Sequence, residues 1–265
     1  MNNASASNYA TPVDYVRQSV VLIAAIAYPL SNALPQILGF GRRVGDNSPG
    51  EFQLLVPFEA AFGIWFPIFV GTTIAALIQA LPSRRTMDIH RRTGWWWALA
   101  MLLSVCWSVA ESYVADDARS WTTALIFTPY VLAICTAMVR FSRGRMAWEW
   151  PEKFCTGAIG LYAGWTSIAV FINWERVFTV ELGWLTTELT ALALLAAALG
   201  WICLNLARSY GNLFYAFTPI WGLSFLAFDR LATEDYSLTI AAAAIAGIVL
   251  VLIAAFGARR RLPPA

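Results

Sequence analysis

The chain has 265 residues, 59 % of them hydrophobic and only 13 % charged, with a mean hydropathy of +0.60 and a formal net charge of +2. A soluble protein of this length needs far more charge to cover its surface, so the composition excludes one. It specifies an all-α, polytopic membrane helix bundle; the net charge says little, and the placement of the charges more.

Residues 1–16 are polar and carry no basic n-region, which predicts a short tail and no cleavable signal peptide. The first span runs from about Arg17 to Leu38 and contains Pro29, Asn32 and Pro35. A Gly-, Pro- and Asn-rich connection over 39–57 is too polar to enter the bilayer. Span two covers roughly Phe58–Leu81, ends at Pro82, and leads into a loop with Arg84, Arg85, His90, Arg91 and Arg92. Spans three and four are about Trp95–Val114 and Trp121–Val139, the latter interrupted by Pro129. A basic loop precedes span five, Cys155–Trp174; spans six, seven and eight are about Gly183–Ala207, Leu213–Phe228 and Leu238–Phe256. About eight spans result, in a single integral membrane domain over 1–265. It divides into a tail (1–16), a five-helix core (17–174), three additional helices (183–257) and a basic tail (258–265).

Placing the N-terminus in the cytoplasm puts thirteen of the 18 Lys and Arg residues inside and five outside, which obeys the positive-inside rule. The expectation is a multi-pass protein of a bacterial plasma membrane with both termini cytoplasmic. Cys106, Cys135, Cys155 and Cys203 all lie in apolar runs and read as small buried hydrophobes. One histidine, His90, cannot supply a paired haem ligation or a zinc cluster, so no metal site is expected.

Span five sorts into two faces at about 100° per residue. Gly157, Gly160, Gly164 and Ser167 form a small-residue stripe that lets another backbone come close. Tyr162, Trp165, Thr166, Ala169 and Asn173 form an opposite, polar and aromatic face, which lipid would not satisfy. This helix is predicted to be central. Trp65, Trp107, Trp165 and Trp221 lie at similar depth, about 10–14 Å below the outer surface. Glu59, Glu111 and Glu188 share that outer half. Glu59 and Glu111 read more readily as carboxylates reaching for the surface, Glu188 as one facing inward. Together these predict a pocket walled by indoles, with 39–57 as its lid, suited to a flat, largely apolar ligand. Ordinary packing of large side chains is the competing reading.

The pattern Leu161-Tyr162…Trp165…Ala169…Asn173 resembles the fifth helix of the tryptophan-rich sensory proteins, the TspO/translocator (peripheral benzodiazepine receptor) family, with Gly160 where the family has Pro. Ala61-Phe62-Gly63-Ile64-Trp65…Ile68-Phe69 and Gln79-Ala80-Leu81-Pro82 resemble the second helix of its longer members. Asn32-Ala33-Leu34-Pro35 resembles the end of the first, and Arg208 to Trp221 an Arg…Ala-Tyr…Trp segment before a further helix. The third-helix Gln and Asn of the shorter members are replaced by Ala100 and Ser104.

The resemblance implies that the first five spans form the family's bundle, often a dimer, which binds porphyrins and other lipophilic ligands beneath its first loop. It implies a sensory or ligand-binding role and a porphyrin-like ligand, with no required cofactor. The implied partners are the bilayer, a lipophilic small molecule and a second copy in a homodimer; no nucleic acid is expected. Candidate binding residues are Trp65, Trp107, Glu111, Tyr162, Trp165, Asn173, Glu188 and Trp221. A small-solute or lipid transporter, and a membrane enzyme acting on a porphyrin or lipid, stay open as alternatives. No catalytic set is evident in the sequence.

Overall fold

The computed structural model describes residues 9–43, 53–144, 150–183, 188–232 and 237–261. Among these are eight long helices and no strand: α1 (Pro12–Leu38), α2 (Trp65–Ala80), α3 (Asp88–Tyr113), α4 (Asp116–Arg143), α5 (Trp150–Arg176), α6 (Glu188–Arg208), α7 (Leu213–Ala232) and α8 (Leu238–Arg259). Seven of the helical segments are long and apolar enough to cross a membrane; α7 is the exception. Thr218, Ser224 and the Asp229–Arg230 pair make it more polar, and it packs between α5 and α8. The chain is a multi-pass membrane bundle.

Local chemistry explains the helix boundaries. Thr11 caps α1: its N–H and hydroxyl both donate to the Asp14 carboxylate, at 3.0 and 2.9 Å, and Pro12 takes the first helical position. Gly39, at φ 73°, closes the helix in the left-handed region that glycine adopts without strain. Pro29 removes the donor that would serve the Ala25 carbonyl, and the Thr73 hydroxyl of α2 donates to that carbonyl instead, at 3.4 Å. Span two is not one continuous α-helix. Pro67 withholds an N–H from the Gly63 carbonyl, and Glu59–Ile64 forms a 3-10 helix leading into α2.

α5 is central, as its two-faced pattern predicts: it packs against α2, α4, α6 and α7. Of the seven membrane-crossing segments it has the largest buried share, 67 % of its most apolar window. Its glycine stripe receives α7. A Cβ on Gly164 would run into the Thr218 hydroxyl and the Tyr215 carbonyl, and one on Gly160 would lie 2.9 Å from Asn212 Oδ1. Pro219 frees that Tyr215 carbonyl from its intrahelical donor, and there the two backbones meet.

Each end of the bundle is stapled by polar groups. At the end where α1 begins and α8 finishes, Gln18 Nε2 donates to the Gln79 carbonyl at 2.6 Å and Gln79 Nε2 to the Gln18 carbonyl at 3.1 Å. Beside them Arg17 donates to the Arg85 carbonyl at 2.6 Å, Arg91 pairs with Asp14 at 2.6 Å and Arg84 with Glu152 at 2.9 Å. Buried charges placed this way need such partners. At the opposite end Arg42 joins the end of α1 to α3 and α4 through the Ser112, Glu111 and Val114 carbonyls and the Asp116 carboxylate.

Some local expectations change. His90 is not in a loop: it sits in the first turn of α3 and is buried, because α3 begins seven residues earlier than hydropathy suggested. Cys106 is exposed on an outward face of α3 and Cys203 is half-buried, so only Cys135 and Cys155 are buried thiols. Arg145, Trp148, Trp184, Thr186, Thr187, Glu234, Asp235 and positions 44–52 of the connection lie outside the described residues.

Candidate functional site

A cavity of about 340 Å³ lies near the end of the bundle away from the start of α1 and the finish of α8. α5 supplies six of its fifteen lining residues: Trp165, Ile168, Ala169, Ile172, Asn173 and Arg176. Their spacing is that of one helical face. α2 and the 3-10 helix before it contribute Trp65, Phe69 and Phe62; α3 contributes Trp107 and Glu111; α4 Phe127; α1 Asn32; and the connection before α2 Gln53 and Val56.

The aromatic rings hold each other in place. Trp65 and Trp165 meet edge-on with centroids 6.2 Å apart, Phe62 meets Trp165 at 5.7 Å, and Trp65 stacks on Phe69 at 5.4 Å. Across α3 and α4, Trp107 meets Phe127 edge-on at 5.2 Å. Such pairs contribute about 0.5–1.5 kcal/mol each beyond their burial, so these walls are largely preformed. Three indoles from three helices therefore border one space.

Polar groups are few and tied to the protein. Trp107 Nε1 donates to Asn173 Oδ1 at 3.0 Å, and Asn173 Nδ2 donates to the Ala169 carbonyl at 2.9 Å. Asn32 Nδ2 donates to the Tyr28 carbonyl at 3.0 Å, and Gln53 Nε2 to the Ile172 carbonyl at 2.9 Å. Arg176 Nη1 and Glu111 Oε1 form an ion pair at 3.0 Å, each side chain 9 % exposed.

The connection is anchored beside the cavity. The N–H groups of Leu54 and Leu55 donate to the Glu175 carboxylate at 2.9 and 3.1 Å, and Arg230 donates to the Val56 carbonyl at 3.2 Å. Residues 53–57 thus belong to the site's border.

Of the eight residues expected in the site, Trp65, Trp107, Glu111, Trp165 and Asn173 line this cavity. The sequence left open whether Asn173 bonds another helix or edges a cavity; it is placed to do both. Glu111 does not reach for the surface, because Arg176 holds it in the interior. Tyr162 lies outside the lining. It is fully buried, stacked on Tyr28 at 5.1 Å and edge-on to Trp65 at 6.3 Å, in the aromatic layer behind the wall. Trp221 also stands behind it, with Nε1 donating to the Ala61 carbonyl at 2.9 Å, so it fixes the 3-10 helix that carries Phe62. Glu188 is exposed at the start of α6 and accepts from Ser237. Helical phase explains the first displacement: the cavity follows Trp165, Ala169 and Asn173, and Tyr162 points toward α1 and α4.

Lining residues that the sequence did not place in the site include Phe62, Phe69, Phe127, Asn32, Gln53 and Arg176. Arg176 lies three residues after Asn173, on the same helical face, a signal that spacing alone could have given. Among the described residues no group of three or more His, Cys, Asp or Glu side chains is arranged to hold a metal ion.

A family model described as TSPO-like protein matches residues 18–257. The match runs through all eight helices, from α1 nearly to the end of α8. No curated protein and no solved structure matches the chain.

Proposed function

Since the chain belongs to the TSPO-like family, we propose that it is a membrane ligand-binding protein of sensory type whose cavity takes a flat lipophilic molecule such as a tetrapyrrole. The observation that carries this reading is the convergence of Trp65, Trp107 and Trp165, from three different helices, on one cavity. At about 340 Å³ the cavity falls at the low end of the ~300–1,000 Å³ usual for small-molecule sites. A planar ligand enters edge-first, apposes its faces to the indoles, and leaves its polar edge at Asn32, Gln53 and the Glu111–Arg176 pair. The aromatic walls supply burial and stacking; the polar groups set orientation.

The test is indole fluorescence. Protein in lipid nanodiscs is titrated with protoporphyrin IX or its dimethyl ester, which absorbs where Trp emits. Saturable quenching is expected. Trp107→Leu and Trp165→Leu should each weaken affinity by about 1–2 kcal/mol through lost stacking and burial. Trp95→Leu, at an exposed position on the opposite end of α3, should not. Equal weakening by all three substitutions, or quenching that never saturates, would reduce the indoles to packing.

A further inference from the structure

A second, smaller cavity lies against the first. Its volume is about 20 Å³, and it sits on the far side of Ile168 and Ile172, which line both spaces. These isoleucines are four residues apart on α5, so they stand one turn above the other as a partition two side chains wide. Beyond them the walls come from Leu195 and Ala198 of α6 and from Gly222, Leu223 and Leu226 of α7, two of the three helices outside the five-helix core. The connection before α2 borders both spaces, the larger through Val56 and the smaller through Leu55 and Pro57.

No side chain lining the smaller space is polar, and Leu195, Ala198, Leu223 and Leu226 are each 5 % exposed or less. Water needs two or more polar partners to stay in such a place, and the space holds about one methyl-sized group. A carbon placed there gains dispersion contacts with every wall. Gly222 gives the partition room to adjust. A Cβ at that position would lie 3.3 Å from Ile168 Cδ1 and 3.4 Å from Trp165, so the glycine leaves Ile168 a slack that any other residue would take up.

Resting on the ligand-binding reading above, we infer that the smaller space is a substituent pocket of the larger one, and that the ligand is a flat molecule carrying a short aliphatic branch on the edge that faces α5. The branch passes between Ile168 and Ile172 while the ring stays against the indoles. The walls set its chemistry. A methyl, vinyl or ethyl branch finds apolar contacts, a bare ring edge leaves the space unused, and a hydroxylated branch finds no side-chain partner for its O–H.

The dimethyl esters of deuteroporphyrin, mesoporphyrin and haematoporphyrin IX share one macrocycle and differ at two peripheral positions, which carry hydrogen, ethyl and hydroxyethyl respectively. Affinities are measured by indole quenching in nanodiscs, with partitioning into protein-free nanodiscs divided out. The wild type should favour the ethyl compound over the hydrogen compound by about fivefold, somewhat less than a methylene is worth where water is the alternative. It should favour ethyl over hydroxyethyl by about tenfold, because the hydroxyl enters an apolar space. Ala198→Val fills the smaller space from α6 without touching the lining of the larger one. It should abolish the first preference by weakening the ethyl compound and leave the hydrogen compound where it was. Gly200→Ala, on an open face of the same helix, should change neither. Ethyl bound no tighter than hydrogen, hydroxyethyl bound as well as ethyl, a preference that survives Ala198→Val, or one that Gly200→Ala also abolishes would each overturn the inference. Should Ala198→Val fail to fold, the three esters on the wild type decide it alone. Saturable, Trp107-dependent binding with no discrimination among the three would sink this inference and spare the ligand-binding reading; no saturable binding of any would sink both.

Discussion

Asn173 holds two hydrogen bonds at once, accepting from the Trp107 indole of α3 at 3.0 Å and donating to its own helix at the Ala169 carbonyl at 2.9 Å. The first bond ties α5 to α3 and fixes an indole that lines the cavity. Replacing the amide by an apolar group of similar size leaves the indole N–H with no acceptor at that place and lets the ring turn. Asn173→Leu should therefore lower stability by about 0.5–2 kcal/mol, the range for an interhelical side-chain bond in a bilayer. It should also lower porphyrin affinity. Thermal unfolding and quenching measured on the same preparation test the coupling, and a change in one without the other would assign Asn173 a single role. Trp174, its neighbour, donates to the Thr128 hydroxyl at 3.1 Å and does not line the cavity, so adjacent residues of one helix serve different partners.

At the scale of the helix, α5 works because its two faces do opposite things. The cavity face carries large side chains, and the stripe behind it carries almost none where α7 crosses. Any side chain at Gly164 displaces α7 at the Tyr215 carbonyl, so Gly164→Val should cost about 1–3 kcal/mol as an overpacked contact. Gly200, in α6, has nothing within 4 Å of an added Cβ, and Gly200→Ala should hold or raise stability through helix propensity. Melting temperatures in detergent should move in opposite directions, and equal shifts would mean that the α5–α7 contact is loose. This face division was legible from residue spacing, because glycine at helical intervals has few other uses in an apolar span. The cavity was only partly legible. Phe62, Phe69 and Phe127 line it, yet nothing in a chain with 16 phenylalanines separates a lining ring from a packing ring. The Glu111–Arg176 pair joins residues 65 positions apart, and neither signals its partner. Tyr162 shares the predicted face but lies one turn deeper, where α1 and α4 close over it.

For the molecule as a whole, the eight helices alternate in direction, so the described residues nearest both termini fall at one end and the cavity at the other. Among the described residues, twelve of the 17 basic side chains belong to the end where α1 begins and α8 finishes. The asymmetry in effective charge is larger than that count, because Arg42, Arg119, Arg176 and Arg230 at the cavity end all sit against carboxylates. At the other end Arg17, Arg84, Arg91 and Arg92 also meet carboxylates, but Arg140 and Arg143 reach the Arg92 and Arg208 carbonyls, Arg140 also lying over the Trp96 ring, with no carboxylate against either among the described residues. Uncompensated arginines hold a loop in the cytoplasm, so the cavity should open away from it. Reporter fusions in the connection between α2 and α3, and after α8, are expected to report cytoplasm. A tag inserted in the 39–57 connection should be accessible from outside intact cells. An inaccessible tag together with an external C-terminus would invert the bundle, and the ligand would then have to reach the cavity from the cytoplasmic side. A C-terminus alone found outside would instead remove one crossing, and α7 is the helix to suspect, since it alone among the eight lacks the apolar length of a span.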